Sequence, residues 1–294
     1  YSSHIEQLKK QSVGKSHESY YINNKQWALA IDAASQTACY REDLIPSYPS
    51  NWNALLDLAK NNRVLWPLKP VHAISSFYSV YNNITTELIP DQKKFIDKNF
   101  GVETLTMMKA VSKELITDCL TMDPIQTAEL MTETNDFFYC PYIYGFSNYS
   151  RKNYRKYILK YIDVINLSGK GPAGTHLGGT GIAVSNVSKN KDLAIEYAFW
   201  IASAECQKSL FYESGGQPGN SVAWEDDKIN EETNNFFRGT RKTLDLAWVR
   251  PRHNGYMKFQ DESGNLINEY LQSEIKAESI CEKLIDMYNK SFKN

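Results

Sequence analysis

Asp32 and Gln36 are the first residues in this chain with the types to grip a small polar molecule. They lie in Trp27-Ala28-Leu29-Ala30-Ile31-Asp32-Ala33-Ala34-Ser35-Gln36, where a carboxylate and an amide interrupt small and apolar residues. At such a break they act as turn formers or as ligand contacts. Leu177-Gly178-Gly179-Thr180-Gly181-Ile182-Ala183-Val184-Ser185 supplies glycines, which permit torsions and close backbone approaches that a side chain forbids. Aromatics are abundant, with 19 Tyr, 12 Phe and 6 Trp, and their flat faces and hydrogen-bonding edges suit a stacked ligand. Compositional drift toward Asn, Lys, Ile and Tyr is the competing reading.

Covalent chemistry finds little support. The chain has no His-Glu-x-x-His, no Gly-x-Ser-x-Gly elbow and no Gly-x-Gly-x-x-Gly behind a strand. Ser188 to Lys191 fits a Ser-x-x-Lys pattern, but so do Ser12 to Lys15 and Ser273 to Lys276, and the companion Lys-Thr-Gly is missing. Gly14-Lys15-Ser16 lacks the glycine of a phosphate-binding loop, because Lys9 stands there, and in Ser168 to Thr175 a threonine replaces the lysine. His4, His17, His72, His176 and His253 are isolated from one another, as surface or structural histidines usually are. Asp226-Asp227 and Asp261-Glu262 lie in polar contexts and read as solvated. Glycine loops with amide and aromatic groups at strand ends, and no nucleophile, are how a reversible small-ligand site looks.

The elements that must position these groups alternate between strand and helix, which argues for α/β layers. Trp27 to Leu44 reads as two strand-like pieces broken near Asp32 to Gln36. Ser50 caps a helix through Trp52, Leu55, Leu56 and Ala59, Val64 to Pro67 is a short buried strand, and Pro70 starts a helix through Tyr81. Residues 91–134 carry helical periodicity in two or three segments. Phe137 to Tyr144 and Ile158 to Ile165 read as strands, and Ile182 to Val184 as a strand buried on both faces. Leu193, Tyr197, Trp200 and Ile201 recur at helical spacing after a cap at Ser188 or Asn190. Trp248 to Arg252 is extended ahead of Pro251, and the last forty residues form one or two amphipathic helices.

With 294 residues and 42% hydrophobic content, the chain can bury one large core or two lobes. Its formal net charge of -1, from 33 basic and 34 acidic residues spread along the chain, gives no electrostatic footprint for nucleic acid. No apolar run approaches the roughly 18 to 20 residues that cross a bilayer, and Tyr1-Ser2-Ser3-His4 does not open a signal peptide. The five cysteines are far apart, which excludes the usual zinc and redox spacings and argues against a disulfide scaffold. No cofactor or metal is expected.

Three segments together carry a resemblance to a known family. Trp27 to Leu44, ending in Tyr40-Arg41-Glu42-Asp43-Leu44 and followed by Pro49-Ser50-Asn51-Trp52, resembles the first hinge strand of the sugar-type extracellular solute-binding proteins of bacterial ABC importers. Leu177 to Ser185 with Ser188 to Lys191 is similar to that family's return crossing, and the helix ending Ala202-Ser203-Ala204-Glu205-Cys206-Gln207 to the helix after it. Trp248 to Arg252 with Tyr256 resembles the third crossing. The resemblance implies a two-lobed periplasmic-binding-protein-like α/β fold, with hinge crossings and a cleft between lobes. Lobe 1 would hold residues 1–35 and 178–245, and lobe 2 residues 36–177 and 246–294. The family's first strand, helix and second strand precede the region matching residue 1, so the sequence is expected either to be a piece of a longer chain or to have an incomplete lobe 1, whose sheet would then have exposed edges.

Carried over by position, Asp32 and Gln36 would hydrogen-bond ligand hydroxyls. Trp66, Tyr142 and Tyr144 would stack on a sugar face or line the wall, with core packing as the alternative. Gly178, Gly179 and Thr180 would bring backbone N–H groups to the ligand, and Arg250 would fork onto a hydroxyl pair or a carboxylate. The implied function is reversible binding of a small solute, a carbohydrate by the resemblance, and delivery to a membrane permease. The protein would be a monomer, extracellular or periplasmic, lipid-anchored or free, without nucleic-acid partners. A two-lobed α/β enzyme acting on a sugar is the alternative.

Overall fold

The computed structural model describes residues 1–85 and 95–292. Six strands run through it: β1 (Tyr21–Ile22), β2 (Lys25–Gln26), β3 (Leu29–Tyr40), β4 (Tyr139–Tyr144), β5 (Lys160–Ile162) and β6 (Leu177–Ile182). β1 and β2 form a hairpin across Asn23 and Asn24, whose φ angles of +53° and +59° are those of a tight turn that follows the strand twist. The organising element is β3. Its second half lies between β4 and β5, all antiparallel, and its first half pairs with β6, Leu29 opposite Ile182 and Ser35 opposite Leu177.

One strand therefore serves two lobes. The sequence reading of two pieces broken near Asp32 is corrected to a single twelve-residue strand with register shifts between Ala30 and Asp32 and between Thr37 and Cys39. Small residues allow it: Ala33, Ala34, Ser35 and Ala38 leave room for neighbours on both faces.

α1 (Ser2–Lys10) opens the chain, and α2 (Trp52–Lys60), α3 (Pro70–Ile84), α4 (Lys98–Ser112), α5 (Pro124–Glu133) and α6 (Lys191–Ala202) follow the predicted order. Residues 91–94 of the predicted 91–134 periodicity lie outside the described residues. Asn51, not Ser50, caps α2, its Oδ1 accepting from the Ala54 N–H at 3.0 Å. Asp123 and Gln126 close a reciprocal capping box at the start of α5, with Pro124 at its first position. Four short helices follow: α7 (Ala204–Lys208), α8 (Leu210–Glu213), α9 (Ser221–Trp224) and α10 (Asp227–Glu232). Then come α11 (Phe236–Asp245), α12 (Tyr256–Leu271) and α13 (Ala277–Ser291).

The main core lies on one face of the β4–β3–β5 sheet, where Trp66, Phe77, Tyr78, Tyr142, Phe259 and Tyr288 are buried. A second core covers the other face with Cys140, Ile143, Tyr161, Phe236 and Phe237. Within the 178–245 stretch read as lobe 1, α11 packs on this lobe 2 sheet. Phe236 meets the Tyr161 ring edge-on at 4.9 Å, and the Thr243 N–H and hydroxyl both donate to Asp163.

The β3–β6 side has only a small described core of Leu29, Ala198 and Ala202. Ile182, Ala183 and Val184 are not buried on both faces as predicted; all three keep solvent exposure. α6 turns its alanines inward, while Leu193, Tyr197 and Trp200 stay exposed. All five cysteines are free and buried. No helix among the described residues is long and apolar enough to cross a membrane.

Candidate functional site

Three chain segments lie side by side where the lobes join. Leu177 sits opposite Ser35 on β3, its N–H donates to the Trp248 carbonyl at 2.9 Å, and the Trp248 N–H donates to the Thr175 carbonyl at 2.8 Å. The third segment thus runs parallel to the start of β6 and carries Arg250 and Arg252 to the neighbourhood of Tyr20.

The glycines of β6 make its surface a floor for rings. A Cβ on Gly178 would lie 3.0 Å from the Tyr144 ring, and one on Gly181 would lie 2.6 Å from the Tyr20 ring. Gly179 has φ +101°, and a Cβ there would stand 2.5 Å from the Asp32 carbonyl oxygen. Gly178, Gly179 and Thr180 lie opposite Ala34, Ala33 and Asp32. Tyr20 is the common neighbour of the charged groups: Asp32, Arg250 and Arg252 all act on its hydroxyl, and the Arg252 guanidinium lies 5.7 Å from its ring centre.

Asp32 is half-buried, and burial raises its carboxyl from the ordinary range to about 6. It has no ion-pair partner among the described residues. The sign of the pH effect follows. An unfolded aspartate loses its proton near pH 4, whereas this one holds it to about 6, so folded stability falls as pH rises between those values. Asp32→Asn should flatten that slope and raise unligated stability at pH 7 by about 2 kcal/mol. Urea unfolding at pH 4.5 and 7 checks this; an unchanged slope refutes it.

His176, read from sequence as an isolated histidine, is buried at the junction. Its Nδ1 lies 3.0 Å from both the Tyr144 hydroxyl and Ser75 Oγ. Ser75 donates its own proton to the Val71 carbonyl, so the network assigns the histidine proton to Nδ1, and Nε2 has no hydrogen-bond partner. Burial, then the charge of Arg250, lowers His176 to about 3; burial likewise lowers His72 to about 4, and its ring lies 6.2 Å from Tyr144. Both imidazoles are neutral at physiological pH. Gln217 was also missed: its Nε2 donates to the Ala33 carbonyl, and its Oε1 accepts from the Ser147 N–H, tying the loop before α9 to lobe 2. The partners of His176 and Gln217 are remote in sequence, so local pattern carries no signal for them.

The structure brings together Asp32, Gly178, Gly179, Thr180, Tyr144 and Arg250 around this junction, but it places the other three expected contacts in the lobe 2 interior. Gln36 is buried, donating to Ser76 Oγ at 3.0 Å and accepting from Ser79 Oγ at 2.6 Å. Trp66 is buried, stacks on Tyr142 at 5.6 Å and donates to the same Ser76. Tyr142 is buried with its hydroxyl near Asn83. Gln36→Leu is therefore expected to lower stability by about 1 kcal/mol, because it removes two buried hydrogen bonds while Ser76 keeps the Trp66 N–H and Ser79 keeps the Ser75 carbonyl and the His176 N–H, and to leave ligand affinity of the folded protein unchanged. A combined melt and titration decides, and lost affinity at full stability would return Gln36 to the cleft.

A crossing strand shared by two lobes, with two further segments beside it and polar groups at the junction, is the two-lobed binding-protein fold. The chain is similar to the maltose-bound MalE3 of T. maritima, with a TM-score of 0.83 and 14% identity over 97% of this chain and 78% of that one. It is also similar to a Thermotoga lettingae ABC transporter solute-binding protein bound to α-D-tagatose, at 0.79 and 16% over 98% and 79%. A Listeria monocytogenes ABC substrate-binding protein in complex with cycloalternan matches at 0.78 and 16%, over 99% and 79%. These likenesses establish the fold. No family model matches the chain, and no curated protein matches it in sequence. Among the described residues no group of three or more His, Cys, Asp or Glu is placed to hold a metal.

Proposed function

We propose that this chain reversibly binds a small solute, a carbohydrate, in the cleft between its lobes and presents it to the membrane permease of an ABC importer. The observation that carries the reading is the glycine-floored junction of three crossing segments, with Asp32, Tyr144, Thr180 and Arg250 around it. The sugar-bound state of the similar structures supports the ligand class. The lobes divide as 1–35 with 178 to about 235, and 36–177 with 236 onward, since α11 packs on β5. Ligand bound to one lobe recruits the other, and the closed form is what the permease reads.

No bond is made or broken in this scheme. The one Ser–His contact at the junction supports that: the Ser75 hydroxyl is buried and donates to a backbone carbonyl, and a histidine that protonates only near pH 3 is a poor general base. The location would be extracellular or periplasmic, and the working form a monomer. Calorimetric titration with a saccharide panel, beside small-angle scattering for closure and product analysis for turnover, tests the proposal. Saturable binding with a smaller radius of gyration and intact sugar is expected; turnover refutes it.

A further inference from the structure

The two arginines beside Tyr20 lack what the other arginines have. Arg41, Arg155, Arg238 and Arg241 each hold a carboxylate, and Arg63 and Arg151 donate to backbone carbonyls. Among the described residues, Arg250 donates through Nη1 to the neutral Gln260 amide at 2.9 Å, and Arg252 has only the face of Tyr20. Neither has an acidic partner there. Arg252 is exposed and Arg250 half-buried, and desolvation followed by the charge of Arg250 lowers the pKa of Arg252, which places the two cations near each other.

The groups facing them do not neutralise the pair. His72 and His176 are neutral, the tyrosine hydroxyls of Tyr20 and Tyr144 stay protonated because burial raises them, and Asp32 is the carboxyl that shares Tyr20 with them. The two guanidiniums outnumber the one carboxyl, Asp32, that acts with them on Tyr20. A neutral polyol would leave these guanidiniums without an anion. A carboxylate would take up both in charge-assisted, forked hydrogen bonds that fix its orientation.

The geometry points to a saccharide bearing a carboxylate, a uronate or uronate oligomer, its carboxylate held by Arg250 and Arg252 and its hydroxyls by Asp32. This rests on the carbohydrate reading above and narrows it.

Isothermal titration of the chain with D-galacturonate, digalacturonate and D-glucuronate, beside D-galactose, D-glucose and maltose, tests it. Acetate and inorganic phosphate at matched ionic strength form the control arm. A uronate should bind roughly tenfold or more tightly than its neutral counterpart, and weaken as salt is raised. Arg252→Gln should weaken uronate binding roughly 10- to 100-fold with the thermal midpoint held, and Arg250→Lys, which keeps charge but loses the fork, by less. Neutral sugars binding as tightly as uronates, or uronate affinity untouched in Arg252→Gln, overturns the carboxylate assignment and leaves the carbohydrate reading standing. Acetate or phosphate binding as tightly as a uronate also overturns it, since the site then takes a plain anion. Binding of no saccharide of either kind overturns both.

Discussion

Gly179→Val is expected to lower the unfolding free energy by about 2–4 kcal/mol and to weaken saccharide binding by about tenfold or more in whatever fraction folds. Position 179 has φ +101°, a backbone region that a β-branched residue adopts only under strain. The added Cβ would also stand 2.5 Å from the Asp32 carbonyl oxygen. That oxygen is backbone in the paired strand and cannot rotate aside, so β3 and β6 must separate locally. The separation moves Asp32, the half-buried carboxyl opposite Thr180. Thr180→Val, one residue along and exposed, has no such constraint and should stay within about 0.5 kcal/mol of the parent. Chemical denaturation of both variants, with titration of the folded protein, is the measurement. If Gly179→Val melts with the parent and binds as well, the torsion and the close approach do not matter.

The same residue shows what sequence could and could not deliver. A glycine run ahead of branched residues was readable as a place of close approach, but as a lead-in to a strand. The glycines are in fact the strand, because two tyrosine rings and a paired carbonyl occupy the space their side chains would need. Asp32 to Gln36 looked like a break because polar residues seldom continue a buried strand. It continues because Gln36 is satisfied by Ser76 and Ser79 of α3, contacts 40 and 43 residues away in the chain. Periodicity identified which residues of α6 share a face, yet that face is exposed and the small Ala198 and Ala202 pack inward. A period of 3.6 groups side chains and says nothing of which group is covered. The crossings themselves were legible because each is short, local and compositionally marked. His176 was not, since its partners Ser75 and Tyr144 lie 101 and 32 residues away.

The ending of β3, Tyr40-Arg41-Glu42-Asp43-Leu44, was legible as a motif without a reason, and the structure supplies one. Arg41 is wholly buried and satisfies all five of its N–H donors. Nε and Nη2 fork onto Asp43 at 2.8 and 2.7 Å, Nη1 donates to the Met131 and Thr134 carbonyls at the end of α5, and Nη2 also donates to Asn135. The Tyr157 ring covers the guanidinium at 3.8 Å. Arg41→Ala should therefore lower stability by about 2–4 kcal/mol, since it leaves a void and two unpaired carbonyls, while the half-exposed Asp43 carboxylate turns to solvent. Arg41→Lys should recover little, because an ammonium cannot reach that many fixed acceptors. Asp43 adds a pH signature. The hydrogen bond from Arg41 holds its carboxyl below the usual range, so its small, solvent-screened contribution is present above the unfolded pKa near 4 and disappears as pH falls through the lowered folded value. In Arg41→Ala that acid-side loss should vanish. Residue 41 is about 30 Å along the strand from Asp32, so saccharide affinity of the remaining folded protein at low temperature should match the parent. Urea unfolding at pH 7 and pH 3 with titration at 10 °C separates the two ends of β3. An affinity loss in Arg41→Ala as large as in Gly179→Val would mean that the strand transmits its anchoring to the cleft rather than merely spanning the two lobes.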